Sequence, residues 1–219
     1  WHYSKCLPVG KLVKVGAWED GKYIGCVIFG RGANHNMLKP FGLSQDQGCE
    51  LVRIALKKHK TPVSRIMAIA IKFLKSKCPE LRLIVSYADQ DQNHHGGIYQ
   101  ATNWIYDGLV NVGTRAAFII NGKKTHNKSV HSKGVKQSLA DVRKYLDPKA
   151  TEFFTKGKHR YLMPLDAKMR ARIEPLAQPY PKREKQANVG TTDTATVQHR
   201  SSRSNSLENK ANLETKEVS

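Results

Sequence analysis

Leu81–Gly108, LRLIVSYADQDQNHHGGIYQATNWIYDG, is the stretch of the chain that decides the fold class. Its first residues, Leu81–Val85, form a short apolar run after a proline, which is typical of a buried strand. Ser86–Asp89 then place a hydroxyl, a phenol and a carboxylate at the C-terminal end of that strand. Ligands bind at this end of the strands in open α/β sheets, so the pattern predicts a site there.

A polar loop and an aromatic segment complete this stretch. The loop carries His94–Gly97, and the spacing of Ile98–Tyr106 predicts a helix that ends at Gly108. Aromatic residues at helical spacing usually pack in a core, and Asp is common after strands, so each residue alone also has a structural explanation. Together the polar side chains exceed what a helix-capping loop needs, and the block predicts a functional site. These side chains belong to Tyr87, Asp89, His94, His95, Tyr99 and Asn103.

Elements before this stretch indicate a mixed α/β domain. Leu12–Trp18 and Tyr23–Phe29 are β-rich and flank an Asp-Gly pair, which predicts a hairpin. Glu50–Leu56 is a further strand candidate, and Pro62–Lys77 has helical spacing, with Thr61 expected as its N-cap. The strand–helix–strand crossover into the buried strand argues for two or three layers.

The chain after residue 108 is less regular. Ala116–Ile120 predicts a strand and Leu139–Leu146 predicts a helix. The basic segment Lys123–Lys136, which contains Gly and Ser, is expected to be a loop. Glu152–Pro181 mixes aromatic and basic residues, and we expect it to wrap the core.

Charge is the second strong signal, since the chain carries a net charge of +19. Residues 184–219 form a polar tail without aromatic residues, which we expect to be disordered, and its charges nearly cancel. The positive excess therefore lies on the domain expected over residues 1–183. It implies an anionic partner, with nucleic acid as the first candidate. A membrane is disfavoured, because the sequence has no long apolar segment and no basic amphipathic helix.

Cysteine usage and motif content narrow the class further. Cys6, Cys26, Cys49 and Cys78 are scattered without a C-x-x-C pair, which predicts buried thiols in a reduced cytosol. The chain lacks the Asp/Asn-Pro-Pro-Tyr/Phe motif and the Gly-rich loop of N6-adenine methyltransferases. It also lacks the paired zinc motifs of deaminases and a Walker A sequence. The sequence leaves the oligomeric state open.

The order of these elements resembles the GNAT acyltransferase fold, in which a strand, a ligand-binding loop and a helix precede a further strand and a helix beside the reaction centre. In chain order these would be Glu50–Leu56, Lys57–Thr61, Pro62–Lys77, Leu81–Asp89 and Gly97–Tyr106. The loop departs from the Gln/Arg-x-x-Gly-x-Gly/Ala sequence with which GNAT proteins bind coenzyme A. An anionic donor or a DNA phosphate would instead meet the helix start around Ser64 and the side chains of Lys57, Lys58 and Lys60.

A closer resemblance is to the Mom family of phage DNA-modification proteins, a GNAT-like branch. It rests on the order and spacing of His2–Ser4, Glu50–Arg53, Pro62–Arg65, Ser86–Asp89, Gly97–Asn103 and Lys158–Tyr161. The resemblance implies conversion of adenine in double-stranded DNA to N6-(carbamoylmethyl)adenine, which protects phage DNA from restriction in the host cytoplasm. The catalytic residues it implies are His2, Tyr3, Ser64, Asp89 and Tyr99.

The residue types suit this chemistry. The N6 group of adenine lies inside the base pair, so the base must be flipped out and held by a flat apolar partner and by hydrogen bonds. Tyr87, Tyr99 and Trp104 are candidates for stacking, although core packing explains Trp104 equally well. The edge of the base would be read by Gln100 and Asn103.

Proton transfer and cofactors follow from the same resemblance. Asp89 is expected to accept the N6 proton as general base. A non-haem iron would be held by the N and O ligands of His2, Tyr3, Asp89 and Tyr99. The group donor would be an acyl-CoA or another carbamoylmethyl donor. Five further histidines are expected at DNA phosphates or in solvent, namely His35, His59, His126, His131 and His159.

Basic residues would follow the DNA backbone, which gives affinity with little sequence choice. The expected contacts are Lys123, Lys124, Lys128, Lys133, Lys136, Lys158, Arg160, Arg170 and Arg172.

Two alternative functions stay open: a GNAT-type N-acetyltransferase acting on a small amine or a protein, and a non-catalytic basic DNA-binding protein. The polar cluster after Val85 argues against the second, because phosphate binding needs no buried carboxylate.

Overall fold

The computed structural model of the chain describes residues 10–32 and 34–182. The predictions made for His2, Tyr3, Cys6 and the tail over residues 184–219 lie outside this part of the chain. The described residues form a six-stranded mixed sheet and a separate three-stranded sheet, flanked by helices. The mixed α/β class expected from the sequence is therefore confirmed.

The main sheet begins with the hairpin and the crossover that the sequence predicts. Strands β1 (Leu12–Glu19) and β2 (Lys22–Gly30) pair antiparallel around the Asp-Gly turn, and β3 (Gly48–Leu56) pairs with β2. Helix α1 (Val63–Lys77) then leads to β4 (Leu83–Asp89), which is parallel to β3.

The segment expected as one helix, Ile98–Tyr106, is helical only at its start. Helix α2 (Gly97–Gln100) is a single turn, and Asn103 then adopts a φ of +59° before strand β5 (Ile105–Val110) begins. Gly108 is not a helix C-cap but lies inside β5, with a φ of +90° at a shift in strand register. The helix prediction is wrong because β5 buries residues on both faces, and such a strand lacks the alternation that distinguishes it from a helix.

An inserted lobe, residues 115–154, follows β5 and has its own sheet. Its elements are β6 (Arg115–Ile120), β7 (Lys123–His126), α3 (Asn127–His131), α4 (Leu139–Tyr145) and β8 (Thr151–Phe154), with sheet order β7-β6-β8. The expected strand and helix at either end are confirmed, but the loop expected over Lys123–Lys136 is wrong. Asn121 and Gly122 both have positive φ, +49° and +72°, which forms the tight β6–β7 hairpin.

The strand between β4 and β5 comes from the segment that was expected to wrap the core. Strand β9 (Lys158–Pro164) pairs antiparallel with both neighbours and gives the order β1-β2-β3-β4-β9-β5. Helix α5 (Ala167–Ile173), capped by Asp166, follows it. The wrapping prediction is therefore wrong for β9, whose alternate side chains enter opposite sides of the sheet and hide the strand pattern among basic residues.

Separate cores cover the two sides of the main sheet. Ala88 and Tyr161 pack with α1 on what we term the α1 side, whereas Val85 and Leu162 pack with α5 on the α5 side. Because side chains alternate along a strand, Ser86 also faces the α1 side. None of the described helices has the length and apolar character needed to cross a membrane.

Three cysteines in the described residues are free thiols. Cys49 is buried as expected, and burial raises the pKa of its thiol to about 12. Cys26 and Cys78 are half-buried. The buried thiol of Cys49 therefore stays protonated at neutral pH and behaves as a small apolar side chain.

Candidate functional site

The parallel strands β3 and β4 separate at the C-terminal end of the main sheet. They pair only between Gly48–Glu50 and Leu83–Val85. Beyond these residues β3 stays paired with β2 as far as Leu56, and β4 stays paired with β9 as far as Asp89, so the two strands diverge. We name this opening, between residues 51–56 and 86–89, the strand fork. It lies at the end of the sheet where α/β proteins bind ligands.

Ser86 and Tyr99 lie at the base of the strand fork. The Ser86 hydroxyl is buried and lies 2.8 Å from both the carbonyl oxygen of Leu51 and the phenol oxygen of Tyr99. A hydroxyl has a single proton, so when Ser86 donates to Leu51 it accepts from Tyr99. This arrangement bridges the two strands where their backbone pairing ends, and it orients the Tyr99 phenol.

Packed aromatic rings support this pair on the α1 side. The centroid of the Tyr99 ring lies 5.0 Å from that of Trp104 and 4.9 Å from that of Tyr161, distances typical of favourable ring contacts. Trp104 is fully buried, and its Nε1 has no hydrogen-bond partner among the described residues. Trp104 thus packs in the core, as in the structural explanation given above, and its ring is not accessible for stacking on a base.

Tyr161 connects the loop after β4 to the main sheet. Its hydroxyl donates to the carbonyl oxygen of His95 at 2.6 Å and accepts from Gln100 Nε2 at 3.1 Å. Gly96 is required beside it, because its φ is +79° and a Cβ there would lie 2.3 Å from the Tyr161 ring. Burial raises the pKa of Tyr161 to about 12, so the phenol keeps its proton and its role as donor at neutral pH.

His159 was expected at a phosphate or in solvent, and this prediction is wrong. Its side chain is buried, and its Nδ1 lies 2.9 Å from the hydroxyl of Tyr106. Burial, and after it the charge of His95, lower the pKa of His159, while burial raises the pKa of Tyr106. Both groups are therefore neutral at pH 7. The alternation of Lys158–Tyr161 between charged and ring-bearing residues is the strand signal that could have placed His159 inside.

Arg160 lies on the α5 side, where its side chain contacts other residues of the fold. Its Nε forms a 2.7 Å ion pair with Asp107, and its guanidinium lies 5.5 Å from the centre of the Phe41 ring. Burial raises the pKa of Asp107, and Arg160 opposes this rise. Burial also raises the pKa of the half-buried Tyr87 on the same side. Arg160 thus contributes an internal charge pair where the sequence predicted an exposed phosphate contact.

Asp89 ends β4 and caps the turn that follows. Its Oδ1 accepts the backbone N–H of Asp91 at 3.0 Å. Within those residues no group of three or more His, Cys, Asp or Glu could hold a metal ion. Asp89 and Tyr99, the two described members of the expected iron set, point to opposite sides of the sheet and do not form a metal site by themselves.

The loop between β3 and α1 is held by Glu19. The Glu19 carboxylate accepts the backbone N–H groups of Lys60 and Thr61, at 2.9 and 2.7 Å, and the Thr61 hydroxyl. The hydrogen bond from the Thr61 side chain, and after it those from the backbone, lower the pKa of Glu19 to about 2. Thr61 therefore does not cap α1 as expected, and residue 62 takes the N-cap position. Ser64 is half-buried in the first turn, and the side chains exposed along the loop are Lys57, Lys58 and Lys60.

The remaining predicted contacts lie in four places. Gln100 is used inside the fold, where its Nε2 also lies 3.2 Å from the carbonyl oxygens of His95 and Pro181. Asn103 is exposed at the turn after α2. Lys158 is half-buried on β9, and Arg170 and Arg172 are exposed on α5. Five predicted lysines are exposed on the inserted lobe, namely Lys123, Lys124, Lys128, Lys133 and Lys136.

Comparison with known protein families identifies the family of the chain. A family model described as the Mom protein family matches residues 1–182 of the chain. The matched range covers the main sheet, the strand fork and the inserted lobe, so it includes every described residue discussed above. No curated protein matches the chain.

Proposed function

The chain belongs to the Mom protein family, and on that premise we propose that it is a transferase that converts adenine in double-stranded DNA to N6-(carbamoylmethyl)adenine. Such a modification would protect phage DNA from restriction by the host. The family match over residues 1–182 supports a role in DNA modification. The geometry at the end of the main sheet supports the place of transfer.

The structural observation that carries the proposal is the strand fork. It is an opening at the ligand-binding end of the sheet, with the Ser86–Tyr99 pair at its base and Asp89 at its rim. The elements around it follow the order that the GNAT resemblance implies: β3, the loop between β3 and α1, α1, β4 and α2. An adenine held at the strand fork would contact Tyr99 on the α1 side and Asp89 on the α5 side.

The proposed transfer forms one bond and breaks one bond at the carbamoylmethyl carbon. A new bond forms between N6 of adenine and the carbamoylmethyl carbon, and the leaving group of the donor departs with the electron pair of its bond to that carbon. N6 loses one proton, which the Asp89 carboxylate accepts. The base is flipped out of the duplex beforehand, and the Tyr99 and Tyr87 rings offer flat surfaces beside the strand fork.

Donor binding is assigned to the start of α1. Lys57, Lys58 and Lys60 are exposed there, directly after β3, and suit an anionic donor whose leaving group is attached to the carbamoylmethyl carbon. Iron stays a prediction of the family resemblance, since His2 and Tyr3 of its implied ligand set lie outside the described residues. The transfer above is therefore derived without a metal.

Nucleoside mass spectrometry tests the proposal directly. DNA would be isolated from cells that express the chain, its Asp89→Ala variant, or an Asp46→Ala variant, in which the removed carboxylate is exposed and outside the strand fork. We expect an adenosine species heavier by a carbamoylmethyl group with the unchanged chain and with Asp46→Ala, and none with Asp89→Ala. Binding to duplex DNA should be the same for all three.

Other outcomes separate the alternatives. An acetyl mass on adenosine would indicate ordinary acyl transfer to DNA. Unmodified DNA together with tight acetyl-CoA binding would favour an N-acetyltransferase on a small amine or a protein. Unmodified DNA with duplex binding that is indifferent to Ser64, Asp89 and Tyr99 would favour a non-catalytic DNA-binding protein. Wild-type modification in Asp89→Ala would remove the general-base role alone.

A further inference from the structure

The inserted lobe, residues 115–154, is not needed to complete the main sheet. Strands β5 and β9, which it connects, are antiparallel neighbours that end side by side at Val110 and Lys158. A short hairpin turn could join them. The chain instead builds a second sheet with its own core, in which Phe118, Val130 and Val142 are fully buried. A separately packed unit at this position indicates a function beyond closing the sheet.

Charge sets the inserted lobe apart. It has nine lysines and arginines against three acidic residues, and these three are engaged within the lobe. Asp147 accepts the N–H groups of residues 121 and 149, Asp141 is hydrogen-bonded to Ser138, and Glu152 forms a 2.7 Å ion pair with Arg115. The acidic side chains therefore do little to neutralise the surface lysines.

Four lysines of the inserted lobe face solvent around the β6–β7 hairpin and α3. They make no ion pair with any residue in the described part of the chain. They are Lys123, Lys128, Lys133 and Lys136. Exposed ammonium groups of this kind suit the phosphate backbone of nucleic acid, which is contacted without regard to base sequence.

Asp91 joins the inserted lobe to the rim of the strand fork. Its side chain is 7% exposed and accepts from Lys124 Nζ at 3.3 Å and from the backbone N–H of Lys156 at 2.9 Å. Lys124 Nζ also lies 3.7 Å from the centre of the Phe153 ring, which fixes this lysine against the second sheet. The backbone N–H of Asp91 donates to Asp89, so the inserted lobe and the proposed general base share one turn.

We propose that the inserted lobe is the docking surface for the phosphate backbone of duplex DNA, and that Asp91 holds it in a fixed position relative to the strand fork. This inference rests on the proposed function, because it takes DNA as the substrate. Phosphates bind the four exposed lysines, and the turn through Asp91 sets the distance between the docked backbone and the site of transfer. Lys124 is a structural link rather than a phosphate contact.

Salt-dependent binding of a duplex oligonucleotide tests the docking surface. The full chain would be compared with a variant carrying Lys123→Gln, Lys128→Gln, Lys133→Gln and Lys136→Gln. Each phosphate contact contributes about −0.9 to the slope of log affinity against log salt, so the loss of four contacts should make the slope shallower by about 3.6. The loss of affinity between 50 and 200 mM salt should accordingly shrink by roughly a hundredfold.

A matched control separates docking from net charge. Replacing four exposed lysines of the main sheet and its helices by Gln, at Lys22, Lys39, Lys72 and Lys168, removes the same charge elsewhere. We expect its salt slope to stay near that of the unchanged chain. Equal slopes in the two quadruple variants would overturn the docking surface, and the lysines would then serve the solubility of an edge strand. Should the lobe variant fail to fold, Lys128→Gln alone should still lower the slope by about one.

The role of Asp91 as a positioning residue has a separate readout. Asp91→Ala should keep the duplex affinity within about twofold but lower the turnover number for DNA modification at least tenfold. Asp91→Asn, which can still accept from Lys156, should recover part of it. Unchanged turnover in Asp91→Ala would overturn this role. If the unchanged chain binds duplex DNA on the lobe but modifies nothing, the proposed function fails while the docking surface stands.

Discussion

Replacing Gly96 by Ala should loosen the loop that Tyr161 holds beside the strand fork. An Ala at the observed φ of +79° costs about 1–2 kcal/mol for the left-handed backbone. Its Cβ would lie 2.3 Å from Tyr161 Cε2, and forcing atoms into a packed site costs about 1–3 kcal/mol more. The free energy of unfolding should fall by about 2–5 kcal/mol, which corresponds to a lower Tm by about 5–15 °C for a domain of this size.

Gly134→Ala is the matched control for this experiment. Gly134 has a φ of +74°, but a Cβ there meets nothing within 4 Å, so only the backbone cost applies. Urea unfolding of both variants should therefore show Gly96→Ala to be the less stable by about 1–3 kcal/mol. Equal destabilisation of the two variants would refute the close approach of Tyr161 to Gly96.

Three further changes follow from the same cluster. Ser86→Ala should cost about 1–2 kcal/mol of unfolding free energy, because the Leu51 carbonyl loses a buried partner, yet abolish most DNA modification, because the hydrogen bond that orients the Tyr99 phenol is lost. Activity that falls no further than the folded fraction would contradict this. Tyr161→Phe should cost about 1–3 kcal/mol in urea unfolding, since it removes two hydrogen bonds, one to the His95 carbonyl and one from Gln100 Nε2, and an unchanged stability would count against these hydrogen bonds. Burial lowers the pKa of His159 below 6.5, so the unfolded chain binds that proton more readily and stability should fall as the pH drops below about 6.5. His159→Gln should remove this part of the pH dependence in urea unfolding between pH 5 and 8, and an identical dependence in both proteins would refute it.

Local sequence signals are enough to predict an element when the pattern of one face determines its structure. The hairpin at residues 20 and 21 and the helix Val63–Lys77 could be predicted because a turn dipeptide and an amphipathic stripe act within a few residues. The strand ending in Asp89 could be predicted from its apolar run, and with it the end of the sheet where the strand fork opens. None of these elements depends on a distant partner for its pattern.

The misassigned elements depend on contacts between distant parts of the chain. Ile105–Val110 is a strand only because β9 pairs with it from more than fifty residues later, and its two buried faces mimic helical spacing. The sequence around His159 and Tyr161 is typical of a basic surface segment. Both side chains are nevertheless buried, because β9 pairs with β4 inside the sheet. The Asn-Gly pair at residues 121 and 122 is a local signal for the β6–β7 hairpin, whereas the high charge of the residues after it favours a loop.

The position of β9 has a consequence for how the protein is made. Among the described strands this one is the last to be synthesised, yet it lies between two strands made earlier, and the inserted lobe separates it from them in the chain. Until residues 158–164 have emerged from the ribosome, β4 and β5 each present an open edge toward the gap, and such edges pair readily with other chains. A product truncated ahead of β9 would therefore lose more than a terminal segment. Its strands β4 and β5 would keep unpaired edges, which would make it a substrate for chaperones and proteases rather than a weakened enzyme.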